Sequence, residues 1–166
     1  MKAYEIYQEI DPALITDMCQ WLRENDKNLY NTAVGSLAAN RKLRPIFIQK
    51  KKPADQCAWL HKTLKLRTSD TVGEHLFQVY FMKGQQEILK AFCDGMDIKH
   101  DGEGQVEGDL PEELSADKLA STVDTLVAAH DPKLITLYLR VFNLQRLSGW
   151  ETLSDILTSD ARLKLS

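Results

Sequence analysis

The chain has 166 residues, 43% hydrophobic and 27% charged, with a formal net charge of −3; this is the length of one domain, with enough apolar material for a core that needs neither disulfides nor metal. Lys2, Glu5, Glu9, Asp11 and Asp17 interrupt the N-terminal stretch, so export through a secretory leader is not expected, and no run approaches the roughly 18 apolar residues of a membrane span. Cys19, Cys57 and Cys93 are odd in number, widely spaced, and each on an apolar helical face, so they read as reduced core thiols of a cytoplasmic protein rather than as a disulfide or metal framework.

Helical periodicity dominates and predicts an all-α fold. Asp11-Pro12 is a cap followed by a proline suited to the first helical position, and Leu14, Met18, Trp21 and Leu22 then form one stripe. A second helix is expected after Asn28, burying Tyr30, Ala33, Val34 and Leu37. Pro45 and Pro53 bracket Ile46-Phe47-Ile48, which reads as one helical turn or a buried loop, and a further helix follows from about Ala54 to Leu66 with Cys57, Leu60 and Leu64 inward. The segments Val72 to Met82 and Leu134 to Leu144 are apolar on every side of the helical wheel, so both are expected to be central and buried all round. Further helices are expected at Gln85 to Asp94, Ser115 to Ala128 and Gly149 to Leu157.

Between the central helices, Asp94 to Pro111 is broken by Gly95, Gly102, Gly104 and Gly108. Asp101-Gly102-Glu103-Gly104 is turn chemistry flanked by Ile98 and Val106, which predicts a small hairpin or a folded loop, either mobile or functional, hinging two halves. Sliding the chain by 62 residues sets Ala54–Met82 on Ala116–Leu144 without a gap, with six identities, and the matched order of amphipathic helix, turn and apolar helix suggests duplicated three-helix units. The expected architecture is therefore a single domain, 1–166, forming a compact multi-helix bundle of about eight or nine helices. Its parts would be N-terminal helices at 1–52, a first three-helix unit at 53–96, an acidic Gly-rich loop or hairpin at 97–114, and a second unit at 115–166.

The charges are segregated. From Arg41 to Arg67 nine basic residues face one acid, Asp55, while from Asp94 to Asp117 nine acids face one lysine, Lys99. Arg41, Lys42 and Arg44 close the second helix and Lys50, Lys51 and Lys52 precede the next, so six cations flank a short apolar insert. These six residues are the candidate partner-binding surface, for an acidic protein or, with Phe47 or Trp59 stacking on bases, for nucleic acid. Arg41 and Lys42 also have an ordinary role in complementing a helix dipole.

No phosphate-binding glycine loop, nucleophile elbow, Cys-x-x-Cys or His-Glu-x-x-His pattern is present, so no catalytic residue and no cofactor is assigned. The doublets His100-Asp101 and His130-Asp131, in a chain that also carries His61 and His75, resemble the signature of the metal-dependent HD phosphohydrolases. That resemblance covers only the doublets. It implies a metal-activated water held by residues such as His75, His100, Asp101 and His130. This sequence departs from the pattern where His100-Asp101 runs into Gly102 and His130-Asp131 into Pro132. Asp101 starting a turn and Asp131 capping the helix that begins at Pro132 explain both doublets without a metal. Asp97, Asp101, Glu103 and Glu107 offer oxygen ligands for calcium, but their spacing does not match the Asp-x-Asp-x-Asp-Gly loop. The function expected from the sequence is a non-catalytic cytoplasmic helical module that binds another protein, through a groove between helices or through its opposed charged surfaces, with nucleic-acid binding and metal-dependent hydrolysis as alternatives.

Overall fold

The structure is a computed structural model that describes residues Met1–Ser166. The protein is 69% helical, with ten α-helices and no strands. In chain order these are α1 (Ala3–Glu9), α2 (Pro12–Asn25), α3 (Lys27–Asn40), α4 (Pro45–Gln49), α5 (Pro53–Leu64), a 3-10 turn (Arg67–Ser69), α6 (Asp70–Gly84), α7 (Gln86–Gly95), α8 (Ala116–Ala129), α9 (Pro132–Asn143) and α10 (Glu151–Ser159). No helix is long and apolar enough to cross a membrane. The chain forms two compact units, Met1–Tyr80 and Phe81–Ser166. The division falls inside α6.

Four of the helix starts are explained by side-chain caps. The side chains of Asp11, Asp26, Ser115 and Asp131 accept hydrogen bonds from the backbone N–H groups of Ala13, Leu29, Lys118 and Lys133, satisfying donors that the first helical turn leaves free. The second long helix thus begins at Lys27, capped by Asp26, slightly ahead of the Asn28 start expected from sequence.

In the first unit α1 is an additional helix. Its Tyr7 is fully buried, stacks on Phe77 with ring centroids 4.1 Å apart and 8° between planes, and donates its hydroxyl to the Gly73 carbonyl at 2.9 Å. Gly73 is required there, because a Cβ would stand 2.7 Å from the Tyr7 ring. His61 contacts the Tyr7 carbonyl through Nε2 at 2.9 Å, and burial holds its pKa below the usual imidazole value. Ile6, Ile15, Met18, Leu22, Leu37, Leu60 and Leu64 complete this core.

The second unit is built on an aromatic chain. Tyr138 meets Phe81 and Phe92 edge-on at 5.5 and 5.3 Å, Phe92 meets Phe142 at 4.8 Å, and Phe142 stacks on Trp150 at 4.9 Å. Trp150 Nε1 donates to the Pro111 carbonyl at 2.9 Å, so the indole is buried with its polar atom satisfied. Leu163 and Leu165, beyond the last helix, are also buried. The helix α9 fits the expectation of near-complete burial, with every residue from Ile135 to Leu139 inaccessible. The expectation fails for α6: Thr71, His75 and Met82 are exposed and Gln78 half-buried, a spacing of four, three and four that traces one solvent-facing stripe.

Candidate functional site

The six cations singled out in the sequence lie on one corner of the first unit, around α4. The helix α3 ends with Arg41 as its cap; the Lys42 N–H then bonds to the Ala39 carbonyl at 2.9 Å and the Leu43 N–H to the Ala38 carbonyl at 2.8 Å. This is a Schellman termination, which needs a left-handed residue after the cap, and Lys42 fills that place at φ 56° where glycine is the usual occupant. Pro45 opens α4 and Pro53 opens α5, each preceded by a cation, Arg44 and Lys52, that makes no side-chain cap hydrogen bond. A lysine or arginine side chain has no acceptor to offer the free N–H groups, and its charge opposes the positive end of the helix dipole. This corner is therefore built with three locally unfavourable choices, at Lys42, Arg44 and Lys52.

The corner is anchored from below. Ile48 is 2% exposed, the Tyr30 hydroxyl donates to Gln56 Oε1 at 2.9 Å, and Gln56 Nε2 donates to the Gln49 carbonyl at 3.0 Å. These contacts tie α4 to α3 and α5 while its outer side stays bare. Phe47 is 61% exposed, Ile46 50% and Leu43 40%. Arg41, Lys42, Arg44, Lys50, Lys51 and Lys52 are all exposed, and none forms an ion pair within the molecule. The sequence left Ile46-Phe47-Ile48 open as a helical turn or a buried loop; it is a helical turn of which only Ile48 is buried. Trp59 is half-buried on α5.

The His-Asp doublets do local structural work. The Nδ1 atom of His100 accepts hydrogen bonds from the Gly102 and Gly104 N–H groups at 3.1 and 3.3 Å, so its Nε2 carries the proton and donates to Asp94 Oδ1 at 2.8 Å. Asp101 Oδ1 accepts from the Glu103 and Gln105 N–H groups at 2.8 and 3.2 Å. A bridge between His100 and Val106 gives the loop its hairpin character. Gly104, at φ +90°, lies so close to α7 that a Cβ would be 2.3 Å from Leu89 Cβ. His130 follows α8 as its C-cap, Asp131 caps α9, and His75 is exposed on α6 in the first unit. No three His, Cys, Asp or Glu side chains gather to hold a metal ion, and the calcium candidates pair elsewhere: Asp97 with Lys118 at 2.5 Å and Glu107 with Lys99 at 3.5 Å.

One grouping has no signal in the sequence. Cys19 of α2 and Cys57 of α5, 38 positions apart in the chain, are both buried on helices that pack together, and the Cys57 thiol donates to the Ile15 carbonyl of α2 at 3.7 Å. In the second unit an open cavity of about 680 Å³ is bordered by Glu112, Glu113, Arg146, Ser148 and Glu151 and contains no histidine or cysteine. Comparison with protein-family models, with curated proteins and with solved structures finds no match for the chain.

Proposed function

We propose that this protein is a non-catalytic helical binding module, that its docking surface is the corner formed by the end of α3, α4 and the start of α5, and that its partner is an acidic protein segment carrying an apolar anchor. One observation carries this reading: six exposed, unpaired cations surround the exposed side chains of Leu43, Ile46 and Phe47. Three adjacent ammonium groups at Lys50, Lys51 and Lys52 repel one another unless water or an anionic partner screens them. Exposed aromatic and aliphatic side chains encircled by charge match the anatomy of a protein interface, an apolar centre inside a polar rim. The unfavourable caps at Lys42, Arg44 and Lys52 support the same reading, since local rules are broken mainly where function demands it. A cytoplasmic setting fits the three unbridged thiols.

The test is titration of a labelled synthetic peptide rich in Asp and Glu, with one phenylalanine, into the intact protein at several salt concentrations. Saturable binding that weakens steeply with salt and falls on Phe47→Ala is the expected result. Tighter binding of a single-stranded oligonucleotide at the same ionic strength would replace the protein partner by nucleic acid.

A further inference from the structure

We infer, taking the docking surface proposed above as given, that its acidic partner is a second copy of this chain, bound through Leu147 and the carboxylates of Asp109, Glu112 and Glu113. The basic corner calls for an acidic surface with an apolar anchor, and the second unit displays one. Leu147 is 99% exposed, more than any other large hydrophobic residue of the chain. It occupies the tip of a tight turn closed by the Gly149 N–H, which donates to the Arg146 carbonyl at 2.9 Å. The turn is pinned from both sides. Arg146 donates to the Glu112 carbonyl and sets its guanidinium carbon 5.9 Å from the centre of the Trp150 ring, while the Trp150 N–H donates to Asn143 Oδ1 at 2.8 Å. A leucine presented on so fixed a backbone loses little freedom when it is covered, so most of its hydrophobic gain goes into binding.

The contact between Arg146 and Glu112 brings the leucine turn beside the acids. Asp109, Glu112 and Glu113 are exposed and form no ion pair, whereas Asp94, Asp97 and Glu107 of the same acidic stretch are each paired within the unit. The open cavity of about 680 Å³ is bordered by both segments, has Leu114 and Trp150 in its lining, and leaves room for an aromatic ring. The first unit offers the complement, with Leu43, Ile46 and Phe47 exposed amid six unpaired cations. Charges of one sign crowd each surface, and each is neutralised when the corner of one copy meets the acids of another. The charges then steer the encounter and the apolar groups hold it. Because the two surfaces differ, every contact leaves one of each kind free, and the association is heterologous.

The test is sedimentation equilibrium of the intact protein over a range of concentrations, with no other partner present. At low ionic strength the weight-average mass should climb with concentration to about twice the monomer or more, and at about 1 M salt, where the screening length is about 3 Å, it should return to the monomer. Leu147→Ser, at a side chain outside the core, should weaken the association about tenfold. Two triple variants, one with Lys50→Glu, Lys51→Glu and Lys52→Glu and the other with Asp109→Lys, Glu112→Lys and Glu113→Lys, should each be monomeric alone and associate when mixed, because the first keeps the acidic surface and the second the basic corner. The inference is overturned if the wild type stays monomeric at millimolar concentration and low salt, if Leu147→Ser associates as the wild type does, or if the triple variants, folded by circular dichroism, associate alone or fail to associate when mixed. Should either triple variant fail to fold, the wild-type and Leu147→Ser measurements decide the matter by themselves. A monomeric wild type that still takes up the acidic peptide removes the second copy as partner and leaves the docking surface standing; one that takes up no peptide either removes both.

Discussion

The helices α3 and α7 end in the same way and lead into segments of opposite charge. After α3, Lys42 takes the left-handed position at φ 56°; after α7, Asp97 takes it at φ 54°, with the Ile98 N–H bonded to the Cys93 carbonyl at 2.8 Å as the Leu43 N–H is to Ala38. Beyond these shared caps the two segments use their charges differently. In the acidic loop Asp94 holds His100, Asp97 holds Lys118, Glu107 holds Lys99, and Asp101 closes a turn. Around α4 no cation has a partner at all. The charge segregation so conspicuous in the sequence therefore has two uses: part of the negative charge organises its own loop, while the cations around α4 form no ion pair within the unit that bears them. A charge cluster that is spent internally and one that is left free look alike until the partners are located.

The largest effect that would break this comparison is charge reversal of Lys50, Lys51 and Lys52 to Glu. Because these side chains are exposed and unpaired, the stability of the variant should stay within about 1 kcal/mol of wild type, while peptide binding should fall by roughly 100-fold or more, since three reversed charges each cost about 1 kcal/mol at an interface. Denaturant unfolding and the peptide titration read the two quantities. Substantial destabilisation would mean that the lysines serve the fold after all, and the contrast with the acidic loop would disappear.

On the other side of the comparison stands His100→Ala. It removes the partner of Asp94 and the acceptor of the Gly102 and Gly104 N–H groups; the exposed Gly102 N–H turns to water, while leaving the buried Gly104 donor unsatisfied costs about 1–3 kcal/mol. Hydrogen exchange at the amides of Gly102 and Gly104 should accelerate while peptide binding at α4 is untouched. Unchanged exchange would show that the hairpin does not depend on the imidazole.

Legibility in the sequence followed the range of the interaction. Helix starts with a short-range signature, Asp11-Pro12 and Asp131-Pro132, were readable because cap and proline are adjacent. The first helix was missed because it is seven residues long and Lys2, at its N-cap position, is not a capping type, although Ile6, Tyr7 and Ile10 carry its stripe. The exposed stripe of α6 was hidden by Met82, an apolar residue on the solvent side that a wheel counts as core. The acidic segment was readable as turn chemistry but its order was not, because that depends on which ring nitrogen of His100 carries the proton. At the candidate site the six cations were visible as composition; their freedom from partners was not, since the absence of a contact is a property of the whole unit. The approach of the Cys57 thiol to the Ile15 carbonyl left no trace, because packing between α2 and α5 is set by the side chains of two faces and not by the spacing of the cysteines.

A smaller expected effect separates the apolar centre from its rim. With Phe47 61% exposed, Phe47→Ala should change unfolding stability by no more than about 0.5 kcal/mol, yet weaken peptide binding about tenfold, the scale of a single aromatic anchor at roughly 1.4 kcal/mol. Equal binding by the variant would confine the surface to electrostatics and remove the apolar anchor from the partner's description.

The finest test compares the two left-handed caps directly, by changing each to glycine. A non-glycine residue in this conformation costs about 1–2 kcal/mol, and glycine returns roughly 0.5–1 kcal/mol of that through the greater freedom of its unfolded chain. Lys42→Gly should therefore stabilise the protein by a net of about 0.5 kcal/mol, because the lysine has no partner to lose. Asp97→Gly relieves the same backbone but also removes the 2.5 Å contact with Lys118, an exposed pair of the kind worth about 0–1 kcal/mol. Its net effect should lie near zero and become more favourable at high salt, where the pair is screened in the wild type as well. Parallel unfolding of both variants at low and high salt measures the difference. A salt-dependent gap that closes as the pair is screened would confirm that charge is used internally after α7 and left free after α3. Identical, salt-independent gains in both variants would show that the acidic loop holds its shape through His100 and Asp101 alone, and that its ion pairs are as idle in folding as the lysines around α4.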